Sequence, residues 1–248
     1  MPELRRREAW LRSAASDVAP GPAWSAAFAG ADVAVIAEVK RRSPSAGAIA
    51  LDLNPGSLAR EYEVGGARAV SVLTNEPFFG GTLADVESVR ATTGLPVLRK
   101  DFIVDPVQLY ETRAIGASAT LLIVRALEQP ELCDLQQLAS ELGLGTLIEV
   151  HDMRELERAL AVGPECVGVN SRDLTTFSVD VNGMADIVSS VPNGIATVAE
   201  SGLQSRSDVE KVAAWGADAV LIGTALSSAS APARAIEQLV GVKRRDRS

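Results

Sequence analysis

Two lysines, three glutamates, an asparagine and a glycine pair stand at the ends of short apolar runs in this chain. Together they could carry acid–base chemistry on a small anion. In order, the run ends are Glu38 with Lys40, Thr74, Lys100, Arg125, Glu149, Asn170, Glu200, and Gly223 with Thr224. A lysine and a glutamate on facing elements, Lys100 and Glu149, can serve as general acid and general base, each tuning the other's protonation state. Glu38 and Lys40 are two residues apart, so on a strand both side chains point the same way. Inward charges so placed are costly unless paired; a structural ion pair would also satisfy them, but the polar turn Ser43-Pro44-Ser45 follows at once and favours a functional pair. Asn170 and Arg172 share a face and offer an amide for hydroxyls and a guanidinium for a carboxylate or phosphate. A polar turn with Arg172 paired to Asp173 explains that segment equally well. In Ser201-Gly202 and Gly223-Thr224, glycines let backbone N–H groups approach an anion while a hydroxyl adds a donor. His151, the single histidine, falls just past its run and reads as a loop or supporting residue, out of phase with Glu149.

For these groups to meet, the runs must be parallel strands ending at one face. Successive ends are separated by 21 residues (Glu149 to Asn170) up to 34 (Lys40 to Thr74), room for one strand and one helix each time. The expected strands are Val33–Lys40, Ala69–Thr74, Pro96–Lys100, Ala119–Val124, Thr146–Val150, Cys166–Asn170, Thr197–Glu200 and Ala219–Gly223. They are rich in Val, Ile, Leu and Ala on both faces, as strands covered by helices must be. Gly66, Gly116 and Gly216 each sit in a Gly-Ala-X-Ala stretch leading into a strand, with Gly163 near the missing interval. A glycine there closes the preceding helix in a left-handed conformation, and a repeat near 50 residues is two β/α units. Helix starts agree: Asp105-Pro106 before Val107–Ile115, Asp152 with Glu155, Ser205 with Asp208, and Thr82 before Leu83, Val86 and Val89. The fold class is α/β, a single (β/α)8 TIM barrel with a short N-terminal helical extension. Residues 1–32 form one or two helices packed on the barrel, 33–242 the barrel, and 243–248 a frayed tail.

The whole chain sets bounds. Its 248 residues suit one barrel. With 47% hydrophobic residues and no apolar stretch near the roughly 20 residues of a membrane helix, no membrane association is expected. The Arg-rich start lacks a secretory apolar core. Cys133 and Cys166 show no metal-ligand spacing and point to a reducing, cytoplasmic setting. The net charge of −8 argues against nucleic acid as a partner. One histidine leaves little room for a histidine metal site or a Ser-His-Asp triad.

Taken together, Glu38-Val39-Lys40-Arg41-Arg42-Ser43-Pro44-Ser45, Ser71-Val72-Leu73-Thr74, Leu98-Arg99-Lys100-Asp101-Phe102, Glu149-Val150-His151, Asn170-Ser171-Arg172-Asp173-Leu174 and Glu200-Ser201-Gly202 resemble the indole-3-glycerol phosphate synthase family of tryptophan biosynthesis. The resemblance runs from about Val33 to Leu226, in the family's order. It implies closure of the indole ring of 1-(2-carboxyphenylamino)-1-deoxyribulose 5-phosphate, with release of carbon dioxide and water and with neither metal nor organic cofactor. It implies Lys100 as the acid on the substrate ketone, Glu149 as the base or proton shuttle of dehydration, and Lys40 on the carboxylate and phosphate side, exchanging protons with Glu38. It further implies Asn170 and Arg172 as orienting groups and Glu200 as a charge balance. Ser201, Gly202, Gly223 and Thr224 would take the phosphate, and Ser43 the substrate near the first turn. Pro44, Phe79, Phe102, Leu121, Leu174 and Ile222 would wall the anthranilate ring. Thr224 departs from the serine or glutamate expected beside Gly223, the Ala46–Ile49 loop is small, and the stretch before the first strand is short for a family that covers its barrel mouth with an extra helix. The implied partner is the small phosphorylated anthranilate-derived substrate, on a monomer or weak oligomer that could associate with other tryptophan-pathway enzymes. Two rival readings are a phosphoribosyl sugar isomerase-type barrel, which would use an aspartate or cysteine pair, and a non-catalytic barrel that binds a phosphorylated ligand.

Overall fold

The computed structural model describes residues 2–173 and 178–245. Eight parallel strands close on themselves: β1 (Ala34–Val39), β2 (Ala69–Leu73), β3 (Val97–Lys100), β4 (Ala119–Ile123), β5 (Gly145–Val150), β6 (Cys166–Asn170), β7 (Ala196–Glu200) and β8 (Ala219–Ile222), with β8 pairing back onto β1. Each bound lies within one residue of that expected from sequence. Alternation sorts each strand into two apolar sets. Ile36, Leu98, Leu121, Leu147, Val198 and Leu221 pack inside the barrel. Val35, Val70, Leu122, Ile148, Val167 and Val220 face outward to the helices. Burial on both faces explains why these runs lack a polar side.

The covering helices are α1 (Pro55–Val64), α2 (Leu83–Arg90), α3 (Pro106–Ala114), α4 (Gln129–Glu141), α5 (Met153–Leu160), α6 (Met184–Ser190), α7 (Arg206–Ala214) and α8 (Pro232–Glu237). Their starts are fixed by the caps the sequence advertises. Asp105 accepts from the Val107 N–H at 3.0 Å, Asp152 from Glu155 at 2.9 Å, and Ser205 from Asp208 at 3.3 Å; each cap of this kind typically contributes about 1 kcal/mol. At the other ends Gly66, Gly116, Gly163 and Gly216 take φ of 97°, 77°, 65° and 97°, the left-handed turn that the repeat predicts.

Before β1 the chain forms helices Pro2–Arg6 and Glu8–Asp17 and a 3₁₀ turn, Trp24–Phe28. Glu8–Asp17 lies along α3, where Arg12 donates to the Tyr110 hydroxyl at 2.7 Å and stacks over its ring. Trp24, 3% exposed, joins the inner core. Of the tail expected to fray, Lys243 pairs with Asp32 at 2.6 Å and Arg244 donates to the Phe28 carbonyl and to Asp218 at 3.1 Å each, while 246–248 lie outside the described residues. Two acidic side chains at the lower rim hold those two basic residues.

Candidate active site

Glu38, Lys100, Glu149 and Glu200 are inward positions at the C-terminal ends of β1, β3, β5 and β7, with Asn170 at the end of β6, so alternation and closure bring them to one mouth. The Lys40 ammonium lies 2.6 Å from Glu38 Oε1. Lys100 Nζ stands between two carboxylates, 3.5 Å from Glu38 Oε2 and 3.4 Å from Glu200 Oε2. Glycines make this crowding feasible. A Cβ on Gly223 would fall 2.2 Å from Glu38 Oε1, and one on Gly168 2.2 Å from Glu200 Oε1. The role of Gly168 was not anticipated; its parity with Asn170 on one strand was the available signal.

Burial and charge pull these groups apart in proton affinity. Burial raises the Glu38 carboxyl, and Lys40 with Lys100 more than offsets it, leaving Glu38 below the usual carboxylate range. Burial lowers Lys100, but Glu38, Glu200 and Glu149 more than reverse this, so its ammonium is held firmly. Glu200 goes the other way. Its burial, only partly countered by Lys100 and reinforced by the charges of Glu149 and Glu38, pushes it up to about 8. Glu149 is also raised by burial, yet His151, Lys100 and Asn170 bring it below its ordinary value. Carboxyls with divergent affinities around one ammonium are the arrangement acid–base chemistry needs.

Above this floor opens a cavity of about 550 Å³. It is lined by Glu38, Lys40, Lys100, Glu149, Asn170 and Glu200, and by Ser43, Pro44, Phe79, Phe102, Leu121, Arg172, Ser201, Gly202, Gly223 and Thr224, all anticipated from sequence. Arg172 reaches Ser45 Oγ at 3.4 Å, and its N–H donates to the Asn170 amide oxygen at 3.0 Å. Ser201 and Gly202 both adopt positive φ, 68° and 73°; a non-glycine residue there is strained, a feature that concentrates at functional turns.

Two expectations change, and a third is untested. Ile222 is 1% exposed and belongs to the outer core, and Leu221, one residue earlier, lines the cavity instead; adjacent strand residues face opposite ways. His151 is not out of phase with Glu149, because residues two apart share a side and its Nε2 lies 3.3 Å from Glu149 Oε1. Leu174 lies outside the described residues. Phe78, Ile123 and Val179 also line the wall without having been foreseen. Ile123 is two residues beyond Leu121 on one strand and was legible by alternation; Val179 pairs with Arg172 through an isolated bridge that no local pattern announces.

Comparison with known proteins adds a separate line. A family model described as indole-3-glycerol phosphate synthase matches residues 23–239. Indole-3-glycerol phosphate synthase 1 of Streptomyces coelicolor is 48% identical over 238 residues, 96% of this chain and 86% of that protein. The indole-3-glycerol phosphate synthase of Mycolicibacterium vanbaalenii is 49% identical over 215 residues, 87% and 79% of the two chains. Among solved structures, thiamine phosphate pyrophosphorylase from Pyrococcus furiosus superposes with a TM-score of 0.64 at 19% identity, covering 84% of this chain and 93% of its own. The latter likeness is one of fold alone.

Proposed function

The chain belongs to the indole-3-glycerol phosphate synthase family, and from that premise we propose how its cavity closes an indole ring. The activity is that of a carboxy-lyase, EC 4.1.1.48, acting on a small phosphorylated substrate, 1-(2-carboxyphenylamino)-1-deoxyribulose 5-phosphate. The observation that carries the assignment of roles is Lys100 held between Glu38 and Glu200, beneath an apolar wall.

The substrate must fold until its ring carbon meets its own ketone carbon. The phosphate is held by the turns Ser201-Gly202 and Gly223-Thr224, where small residues let backbone N–H groups come close. The carboxylate lies towards Lys40 and Arg172. Anchoring both ends brings the reacting carbons together, an effect that can supply several kcal/mol. Phe79, Phe102, Leu121, Leu221 and Pro44 hold the anthranilate ring.

Lys100 then gives a proton to the ketone oxygen as the ring carbon attacks, neutralising charge where it develops. Loss of carbon dioxide restores the electron pair to the ring system. Glu149, ionised, takes the proton from the carbon beside the ring nitrogen, while Lys100, reprotonated by Glu200, supplies the proton with which the hydroxyl departs as water. Glu38 with Lys40 balances charge at the lysine, Asn170 orients Glu149 and the substrate hydroxyls, and Glu200 returns a proton to Lys100. The barrel, residues 33–242, works as one domain in the cytoplasm, as a monomer or weak oligomer able to associate with neighbouring pathway enzymes.

The test is the rise of indoleglycerol phosphate fluorescence when purified protein meets the carboxyphenylamino-deoxyribulose phosphate, without added metal. A rise that disappears in Lys100→Ala supports reaction and acid together. Tight binding with no rise would leave a phosphate-ligand barrel without this chemistry.

A further inference from the structure

Behind Glu149 stands His151, the single histidine of the chain. Its ring is almost wholly covered, with 4% of the side chain exposed, and it stands between two carboxylates. On one side Nε2 is 3.3 Å from Glu149 Oε1. On the other, Glu155 Oε2 receives both the backbone N–H of His151 at 2.8 Å and the ring Nδ1 at 2.9 Å. The second oxygen of Glu155 is taken by Arg125 Nε at 2.7 Å, so that carboxylate is fixed from behind. Arg125 in turn lies 3.7 Å from Asp152 and 3.8 Å from Asp173. A row of alternating charge therefore runs from the cavity floor through Glu155 and Arg125 to the exposed Asp152 and Asp173.

The need for such a row follows from where the two ammonium groups lie: both stand close to other carboxyls than Glu149. Three buried carboxyls, Glu38, Glu149 and Glu200, share the floor with two ammonium groups, Lys40 and Lys100. Lys40 is paired with Glu38, and the close ion pairs of Lys100 are with Glu38 and Glu200. Among the described residues, without His151 it would be the more distant charge of Lys100 and an amide from Asn170 that oppose burial, and Glu149 would tend to hold a proton and act poorly as a base.

We infer that His151 is a positioning residue: clamped as an imidazolium by Glu155, it keeps Glu149 ionised and aimed into the cavity. The inference rests on the proposed role of Glu149 as base and extends it to a residue that does not touch substrate. Burial disfavours the imidazolium, but Glu149 and Glu155 together raise His151 to about 9, while Glu155, raised by burial and lowered by His151 and Arg125, falls to about 2. Of the groups facing this unit, Glu149 comes from β5, Glu155 from α5, Arg125 from the turn after β4, and Asn170 and Lys100 from β6 and β3.

Because the chain has one histidine, ¹⁵N-imidazole NMR reads this residue without assignment. In the unaltered protein both ring nitrogens are expected to carry protons at pH 7, with a midpoint near 9. Glu149→Gln and Glu155→Gln should each lower that midpoint by a unit or more. A neutral ring at pH 7, or a midpoint indifferent to Glu149→Gln, overturns the clamp. These readings need no turnover, so they separate failure of the clamp from failure of the proposed reaction. In kinetics, His151→Asn should lower kcat at pH 7 by about tenfold or more, with KM changed less than about threefold. Its acid limb should move to higher pH, so that activity recovers in alkaline buffer. If His151→Asn is poorly folded, Glu155→Gln makes the same measurement with the ring retained and predicts a smaller shift in the same direction. A uniform loss across pH with an unmoved limb would mean a merely structural histidine.

Discussion

Lys100 lies 3.5 Å from the Glu38 carboxyl and 3.4 Å from that of Glu200, set between two groups rather than in one tight pair. That leaves the ammonium free to point at a substrate oxygen. Lys100→Ala and Glu149→Gln should each reduce kcat by roughly 10²–10⁴-fold, with melting temperatures within a few degrees of the parent. Near-normal turnover in a folded Lys100→Ala would remove it as the acid. Glu200 allows a test of sign. Its folded value, near 8, exceeds the usual 4.5, so the native state binds the extra proton; the stability this group contributes is complete below 4.5 and is lost as pH rises through 8. Glutamine mimics the protonated acid. Glu200→Gln should therefore gain in melting temperature relative to the parent as pH climbs from 5 to 9, and a flat difference would contradict the assigned affinity. At this scale the sequence was legible wherever a charged residue closed an apolar run. It was least legible where parity was misapplied: Leu221, not Ile222, faces the cavity, and His151 faces the side of Glu149.

Elements place these groups through small residues as much as through caps. On β6, Gly168 leaves the space into which the Glu200 carboxylate of neighbouring β7 bends, since a Cβ there would stand 2.2 Å from Oε1. Glu200 is fully buried, and the same Cβ would also stand 3.2 Å from Leu147 Cδ1. Gly168→Ala should displace Glu200, weaken its contact with Lys100 and cost about 1–3 kcal/mol through overpacking. Both melting temperature and kcat should fall; unchanged kcat would show that Glu200 can move without consequence. The strands and capped helices were readable because period, cap and glycine agreed at each boundary, as in Asp105-Pro106 opening α3 and Gly116 closing it. The small hairpin pairing Arg42 with Ala48 and Ser43 with Gly47 was not, because two-residue strands carry no periodicity. Nor was the 3₁₀ turn Trp24–Phe28, whose form depends on the barrel end it covers.

The molecule as a whole separates support from chemistry along the barrel axis. The charged floor and cavity occupy the C-terminal ends of the strands, whereas Trp24 enters the inner core at the opposite end, near Gly145 at the start of β5. Gly145 is shaped for this plug, because a Cβ on it would fall 2.4 Å from the Trp24 Cβ. Phe28 packs edge-on to the indole with ring centres 5.3 Å apart, and Arg244 donates to the Phe28 carbonyl, so the end of the chain braces the same plug. Removing the indole would open a void under Leu147, Cys166 and Val198, which belong to its cluster. Trp24→Ala should therefore cost about 3–5 kcal/mol, roughly 10 °C in melting temperature for a chain of this size. The active groups hang from the far ends of strands whose mutual hydrogen bonds do not pass through Trp24, so kcat at 25 °C should stay within about twofold of the parent. Thermal melts and turnover measured on the same preparation decide it. A large fall in kcat with the fold still intact would mean that the lower core sets the positions of Lys100 and Glu149, and that the two ends of this barrel are mechanically coupled.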